Sequence, residues 1–148
     1  MINISDYLKE ENIKMNLVAK NKEKAIKTLL EFNSLDKESI LKEIMKREEL
    51  ESTGFGNGIA VPHARIDGIP SITILVGVSK KGIEFDSLDG KPANLIFLIL
   101  APKSETKLYI YILAKLIKVL EEEKNLTELV NIDTPQSFIE KFRSIERI

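Results

Sequence analysis

The chain has 148 residues, 43% of them hydrophobic and 30% charged, which suits one soluble domain with a substantial core. A formal net charge of −1 gives no electrostatic footprint for nucleic acid or an anionic membrane surface. Cysteine is absent and histidine occurs once, which excludes disulfides, thiolate catalysis, zinc–thiolate centres and any multi-histidine metal site within one chain.

The longest apolar runs, 72–78 and 95–101, fall far short of the ~20 residues of a membrane helix. The first residues, Met-Ile-Asn-Ile-Ser-Asp, lack the charged-then-apolar pattern of a signal peptide. The expectation is a cytoplasmic protein with no membrane insertion, forming a single domain over 1–148.

In chain order, 2–18 mixes apolar pairs with charges and reads as a strand or peripheral segment. Asn21 is placed to cap a helix through Phe32, with Ala25, Ile26, Leu29 and Leu30 in one stripe. Asp36 is placed to cap a second, carrying Ile40, Leu41, Ile44 and Met45 inward. Arg47, three residues after Ile44, extends that stripe. Two readings follow: an ion pair with Glu48 or Glu51 at the helix end, or a guanidinium aimed at a site formed further along the chain.

The following stretch concentrates the unusual features. Residues 52–65 read Ser-Thr-Gly-Phe-Gly-Asn-Gly-Ile-Ala-Val-Pro-His-Ala-Arg, holding three of the seven glycines and the single histidine, His63. Gly54, Gly56 and Gly58 permit positive φ and close approach of the backbone, and successive exposed amides can cradle an anion. Pro62 biases Val61 toward an extended conformation, so His63 should follow a short strand. A neutral imidazole near neutral pH is a nucleophile, and Arg47 and Arg65 could balance a divalent anion beside it. No Gly-Lys-Ser/Thr or dinucleotide fingerprint follows, and no serine stands in a nucleophile elbow. From this chemistry alone, a phosphoryl-acceptor histidine and a packed histidine both stand.

Beyond it, Asp67-Gly68-Ile69-Pro70 and Asp89-Gly90 are turn signals bracketing two central strands, 72–78 and 95–100. Lys80-Lys81-Gly82 should end the first, with Ile83-Glu84-Phe85 as a separate short strand. Ser104 is placed to cap a helix to about Glu122 that is apolar on more than one side. That helix is either central to the core or partly covered by a second copy in a homodimer, and the core reading is preferred. Leu126, Leu129 and Val130 suggest a short helix, and Thr134-Pro135 opens a last one with Phe138, Ile139 and Phe142 inward. The pattern gives an α/β fold: one mixed sheet of about five strands with helices packed on both faces.

The run Thr53-Gly54-Phe55-Gly56-Asn57-Gly58-Ile59-Ala60-Val61-Pro62-His63-Ala64 resembles the phosphorylation-site signature of fructose/mannitol-type enzyme IIA domains of the phosphoenolpyruvate:sugar phosphotransferase system. The resemblance extends over essentially the whole chain. It implies that His63 accepts a phosphoryl group from phospho-HPr and passes it to a cysteine of a sugar-specific enzyme IIB, with no metal and no cofactor. The family's assisting arginine, sixteen residues before the histidine, falls on Arg47. Many members place a second histidine where this chain has Tyr109, which puts the rate of transfer and the choice of partner in question. Tyr109, Gly56, Asn57, Gly58 and Thr53 are the further candidates for holding the phosphoryl group or supporting the site. Phe55 and Ile59 are the candidate docking rim. The nitrogen-type IIA proteins, in which the histidine's phosphorylation state sets binding to another protein, are the regulatory alternative; a binding protein with an inert histidine is the third.

Overall fold

A computed structural model describes residues 2–31 and 36–147. Two short 3-10 turns (Ile4–Tyr7 and Glu10–Asn12) lead into β1 (Ile13–Lys14), then α1 (Lys22–Leu30) and α2 (Lys37–Leu50). There follow β2 (Gly54–Gly56), β3 (Ile59–Ala60), β4 (His63–Ile66), β5 (Thr73–Ile83) and β6 (Ala93–Pro102). Three helices close the chain: α3 (Thr106–Leu120), α4 (Glu123–Val130) and α5 (Pro135–Glu146).

The helix starts obey local chemistry. The side chains of Asn21, Asp36 and Thr134 accept bonds from the backbone N–H of Lys24, Ser39 and Ser137, and Pro135 occupies the first turn of α5. The expected end of α1 at Phe32 lies outside the described residues. Ser104 is not a cap: α3 begins after Glu105, which makes no side-chain capping bond.

The six strands form one mixed sheet in the order β1-β5-β6-β3-β2, with β4 also on β6. β5 and β6 pair antiparallel, whereas β1 on β5 and both β3 and β4 on β6 are parallel. β3 and β4 continue one register along β6, Ile59 opposite Leu95 and His63 opposite Ile99. Counting them as one interrupted strand gives the expected five. The interruption is Val61-Pro62, where proline has no N–H to give, although its carbonyl still accepts from Ile99 at 3.0 Å.

Alternation along β5 and β6 supplies two cores. Ile74, Val76, Val78, Phe97 and Ile99 face α3, α4 and α5; Leu75, Ile96, Leu98 and Leu100 face α1 and α2. This double burial explains the uninterrupted apolar runs. On the first face Phe97 meets Phe142 and Phe138 at ring-centroid distances of 5.7 and 6.2 Å. Contrary to the sequence expectation, β5 does not stop before Lys80-Lys81-Gly82. It runs through to Ile83 across an irregularity in register that Gly82 accommodates at φ 89°.

The core reading of α3 also needs correction. Tyr109, Ile112, Leu116 and Leu120 are buried, while Ile110, Tyr111 and Ile117 are exposed. Among the described residues no helix is long and apolar enough to cross a membrane.

Candidate functional site

His63 opens β4 on the strand's outer stretch. β2 ends its pairing at β3, so past Val61 the sheet edge is free and side chains from either layer can reach round it. Odd positions of this strand (Ile59, Val61) face the α3–α5 layer and even ones (Ala60, Ala64) the α1–α2 layer. His63 therefore faces α3, and its ring lies 5.9 Å from that of Tyr109, tilted by 57°.

The imidazole is half-buried, and its Nδ1 sits 2.7 Å from the carbonyl oxygen of Val61. A carbonyl can only accept, so Nδ1 carries the proton and Nε2 keeps its lone pair. Burial is the largest influence on the ring and lowers its pKa below the ordinary 6.5; the Val61 bond opposes this, the charge of Arg47 adds to it and Glu48 opposes it. The result is a neutral ring with one defined free nitrogen.

Two arginines act on this pair of rings. Arg47, half-buried near the end of α2, donates from Nη1 to the Glu51 carbonyl at 2.9 Å, and its charge is felt by both His63 and Tyr109. Arg65, two residues along β4, donates to the Lys103 carbonyl and to Thr106 Oγ1 at the start of α3, and also acts on Tyr109. Among the described residues neither arginine forms an ion pair with a carboxylate. The Tyr109 hydroxyl is pushed up to about 12, chiefly by burial and against the two arginines, so it stays protonated and can only be a neutral donor or acceptor. His63, Arg47 and Tyr109 are thus brought together from three elements.

Thr53 is nearby but committed inward. Its N–H donates to Glu48 Oε1 at 3.1 Å and its hydroxyl to Glu48 Oε2, while its carbonyl accepts from Val61 N–H at 3.0 Å. Glu48 is buried and paired with buried Lys22 at 3.1 Å. The ion-pair reading of Arg47 with Glu48 is replaced by this Lys22–Glu48 pair. Glu48 was no candidate on sequence, although its position four residues after Ile44 and eight after Ile40 puts it on the buried stripe.

The hairpin tip is elsewhere. Gly56, Asn57 and Gly58 all have positive φ (100°, 56° and 84°), yet the Asn57 N–H donates to Asp89 Oδ2 at 2.9 Å. Extended backbone from Gly58 to His63 separates their Cα atoms by about 15 Å. These amides are not assembled with the imidazole, and the one from Asn57 already serves a carboxylate of the chain. Gly54 differs from expectation too: its φ is not positive, and what it permits is close approach, since a Cβ there would come within 2.6 Å of Ser87 Oγ. Of the expected rim, Phe55 is 42% exposed but Ile59 only 6%, because its odd position turns it into the core. A cavity of about 620 Å³ between α3 and α5, lined by Lys115, Lys118, Glu122 and Glu146 among others, touches none of these residues.

Comparison with known proteins agrees with this architecture. The profile described as "Phosphoenolpyruvate-dependent sugar phosphotransferase system, EIIA 2" matches residues 6–145. The fructose-specific EIIABC component of Bacillus subtilis is 31% identical over 142 residues, 93% of this chain but 22% of that protein. The chain spans 59% of a Pseudomonas aeruginosa nitrogen regulatory protein, to which it is 37% identical over 91 residues, 62% of its own length. A nitrogen regulatory protein homolog from Haemophilus influenzae is 33% identical over 138 residues, covering 85% of this chain and 82% of that one. In structure, the nitrogen regulatory protein IIA-Ntr of Neisseria meningitidis superposes with a TM-score of 0.88 at 25% identity, over 94% of this chain and 98% of that one. Mannitol IIA of Escherichia coli gives 0.76 at 25% identity, over 91% and 98%. With the profile covering nearly all of the sequence and its mixed sheet shared with these structures, the chain belongs to the EIIA 2 family of the phosphoenolpyruvate-dependent sugar phosphotransferase system.

Proposed function

We propose that this chain is a phosphocarrier in which His63 Nε2 takes a phosphoryl group from the phosphohistidine of HPr and yields it to a cysteine of a sugar-specific enzyme IIB, of the fructose/mannitol class. The observation that carries the reading is an imidazole with its Nδ1 proton held by Val61 and Nε2 free, within the field of Arg47, whose guanidinium lacks a carboxylate partner among the described residues.

In the forward step the Nε2 lone pair attacks phosphorus in line, the new N–P bond forms and the donor's P–N bond breaks. The donor imidazole leaves with that electron pair and becomes neutral. Positive charge passes to the His63 ring, which keeps its Nδ1 proton on the Val61 carbonyl. The equatorial oxygens carry the developing negative charge, which Arg47 opposes and toward which Tyr109 can donate. Onward transfer reverses the roles: a thiolate attacks and the ring departs neutral. A solved complex of mannitol enzyme IIA with phosphorylated mannitol enzyme IIB from Escherichia coli, whose IIA shares this fold, supports IIB as the acceptor.

Regulation is the second reading, in which the phosphorylation state sets binding to another protein and no sugar is delivered. The likeness to IIA-Ntr at a TM-score of 0.88, and to nitrogen regulatory proteins in sequence, favours it specifically. Incubation with phosphoenolpyruvate, enzyme I and HPr should place acid-labile phosphate on the protein, and His63→Ala should abolish it. Label retained by that variant refutes both readings, and none on the parent refutes the phosphocarrier. A subsequent screen of fructose- and mannitol-class IIB proteins decides between them, since delivery to none of these supports the regulatory reading.

A further inference from the structure

We infer that Glu48 is a positioning residue: through Thr53 and the backbone of Val61 it holds the His63 proton on Nδ1 and so leaves Nε2 as the nitrogen that reacts. The inference rests on the proposed phosphoryl acceptance by His63 for its kinetic consequence, but not for its structural one.

The connection can be followed atom by atom. Glu48 Oε1 accepts from Lys22 Nζ and from Thr53 N–H, each at 3.1 Å, and Oε2 accepts from the Thr53 hydroxyl. Both carboxylate oxygens are thereby fixed in a buried setting. Thr53, only 1% exposed, then receives the Val61 N–H on its carbonyl at 3.0 Å. That bond anchors Val61 at its N–H; the carbonyl of the same residue, one Cα further on in the Val61–Pro62 peptide, accepts the His63 Nδ1 proton at 2.7 Å. The sheet ladder holds this carbonyl only indirectly, because the Val61–Pro62 peptide has no N–H to give, although the Pro62 carbonyl accepts from Ile99. Lys22, from α1, completes the anchor; it also contacts Ser52 Oγ at 3.4 Å and exposed Asp86 at 3.3 Å.

Electrostatics act in the same direction. The charged groups acting on the ring are Arg47 and Glu48 from α2; Tyr109 from α3 lies against it, and Arg65 of β4 acts on Tyr109. Arg47 serves the phosphoryl oxygens but disfavours positive charge on the ring. Glu48 is the one anion of this set, and it favours the cationic ring formed when Nε2 bonds to phosphorus.

The test uses the intact protein with Glu48→Gln, Thr53→Val and Thr53→Ser, read by ring-nitrogen NMR of unphosphorylated His63 and by the rate of phosphate uptake from phospho-HPr. Glu48→Gln and Thr53→Val are expected to move the neutral ring away from the Nδ1–H form and to slow uptake at least roughly tenfold, the lower end for losing a group that orients a reactive imidazole. Thr53→Ser, which restores the hydroxyl, is expected to keep the parent's ring signature and rate. Should Glu48→Gln fail to fold, the two Thr53 variants decide alone. Folded variants with an unshifted ring, or a lost rate without any ring shift, overturn the inference. Absence of phosphate uptake by the parent overturns the proposed function instead, and the ring-nitrogen spectra still judge Glu48.

Discussion

In the proposed phosphocarrier, Arg47 supplies the charge and His63 the nucleophile. The Arg47 guanidinium bonds only to the Glu51 carbonyl among the described residues, so it contributes little to the fold. Arg47→Met is expected to leave stability within about 0.5 kcal/mol in thermal unfolding. The same change should slow phosphate uptake by about 10²–10³-fold, as for loss of one oxyanion donor. For His63 the sign of the pH dependence follows from burial. The folded ring titrates below 6.5. Uptake should therefore rise with pH through an apparent pKa below that value, and remain near its plateau at neutral pH. Between the folded pKa and 6.5 the unfolded chain binds more protons, so stability should increase with pH across that window and be lost as pH falls through it. Ring-proton NMR titration and unfolding at matched pH check both. At this scale His63, Arg47 and Tyr109 were marked as candidates, the first by its glycine-rich lead, the second by helix phase and resemblance, the third by resemblance. Glu48 was not, because an apolar stripe is read from apolar residues, and its carboxylate occupies the next position of the Ile40–Ile44 stripe with no sequence mark of the Lys22 that neutralises it.

The hairpin of β2 and β3 is where pattern and structure part. Three glycines in five residues suggested amides presented to an anion. The turn instead uses its positive-φ geometry to bend back to β6, with Asp89 filling the concavity at Asn57. Sequence could not place Asp89, thirty-two residues away, opposite that amide. Gly54 serves the hairpin by its lack of a side chain. A Cβ there would meet Ser87 Oγ at 2.6 Å and Ser87 Cα at 2.9 Å, the latter on backbone that cannot rotate aside. Gly54→Ala should cost about 1–3 kcal/mol by overpacking, seen as a lower denaturation midpoint in urea. An unchanged midpoint would mean that the hairpin is free to shift. The helices were legible through Asn21, Asp36 and Thr134 because a cap involves only one side chain and one turn. The length of β5 was hidden because Lys80-Lys81-Gly82 has the composition of a turn, while pairing with β6 extends the strand through it.

Across the molecule, one sheet separates two helical layers, and the site draws on both. α2 contributes Arg47 and Glu48 from one side, α3 contributes Tyr109 from the other, and they meet at β4 because the sheet there has a free edge. Layering was readable from the two fully apolar strands, whose residues must bury alternately above and below. The free edge was not, since it depends on β2 ending its pairing before His63, a long-range fact of register. The helix α3 illustrates the same limit: its amphipathic excess left Ile110, Tyr111 and Ile117 exposed where composition alone favoured a central element. The central claim is that this edge presents a single imidazole nitrogen, Nε2, to phosphorus. Phosphorus and ring-nitrogen NMR of the protein after phosphorylation through enzyme I and HPr tests it most directly. One phosphorus resonance coupled to Nε2 of His63, with the proton retained on Nδ1, is the expected result; phosphate on Nδ1, or on any other residue, would contradict it.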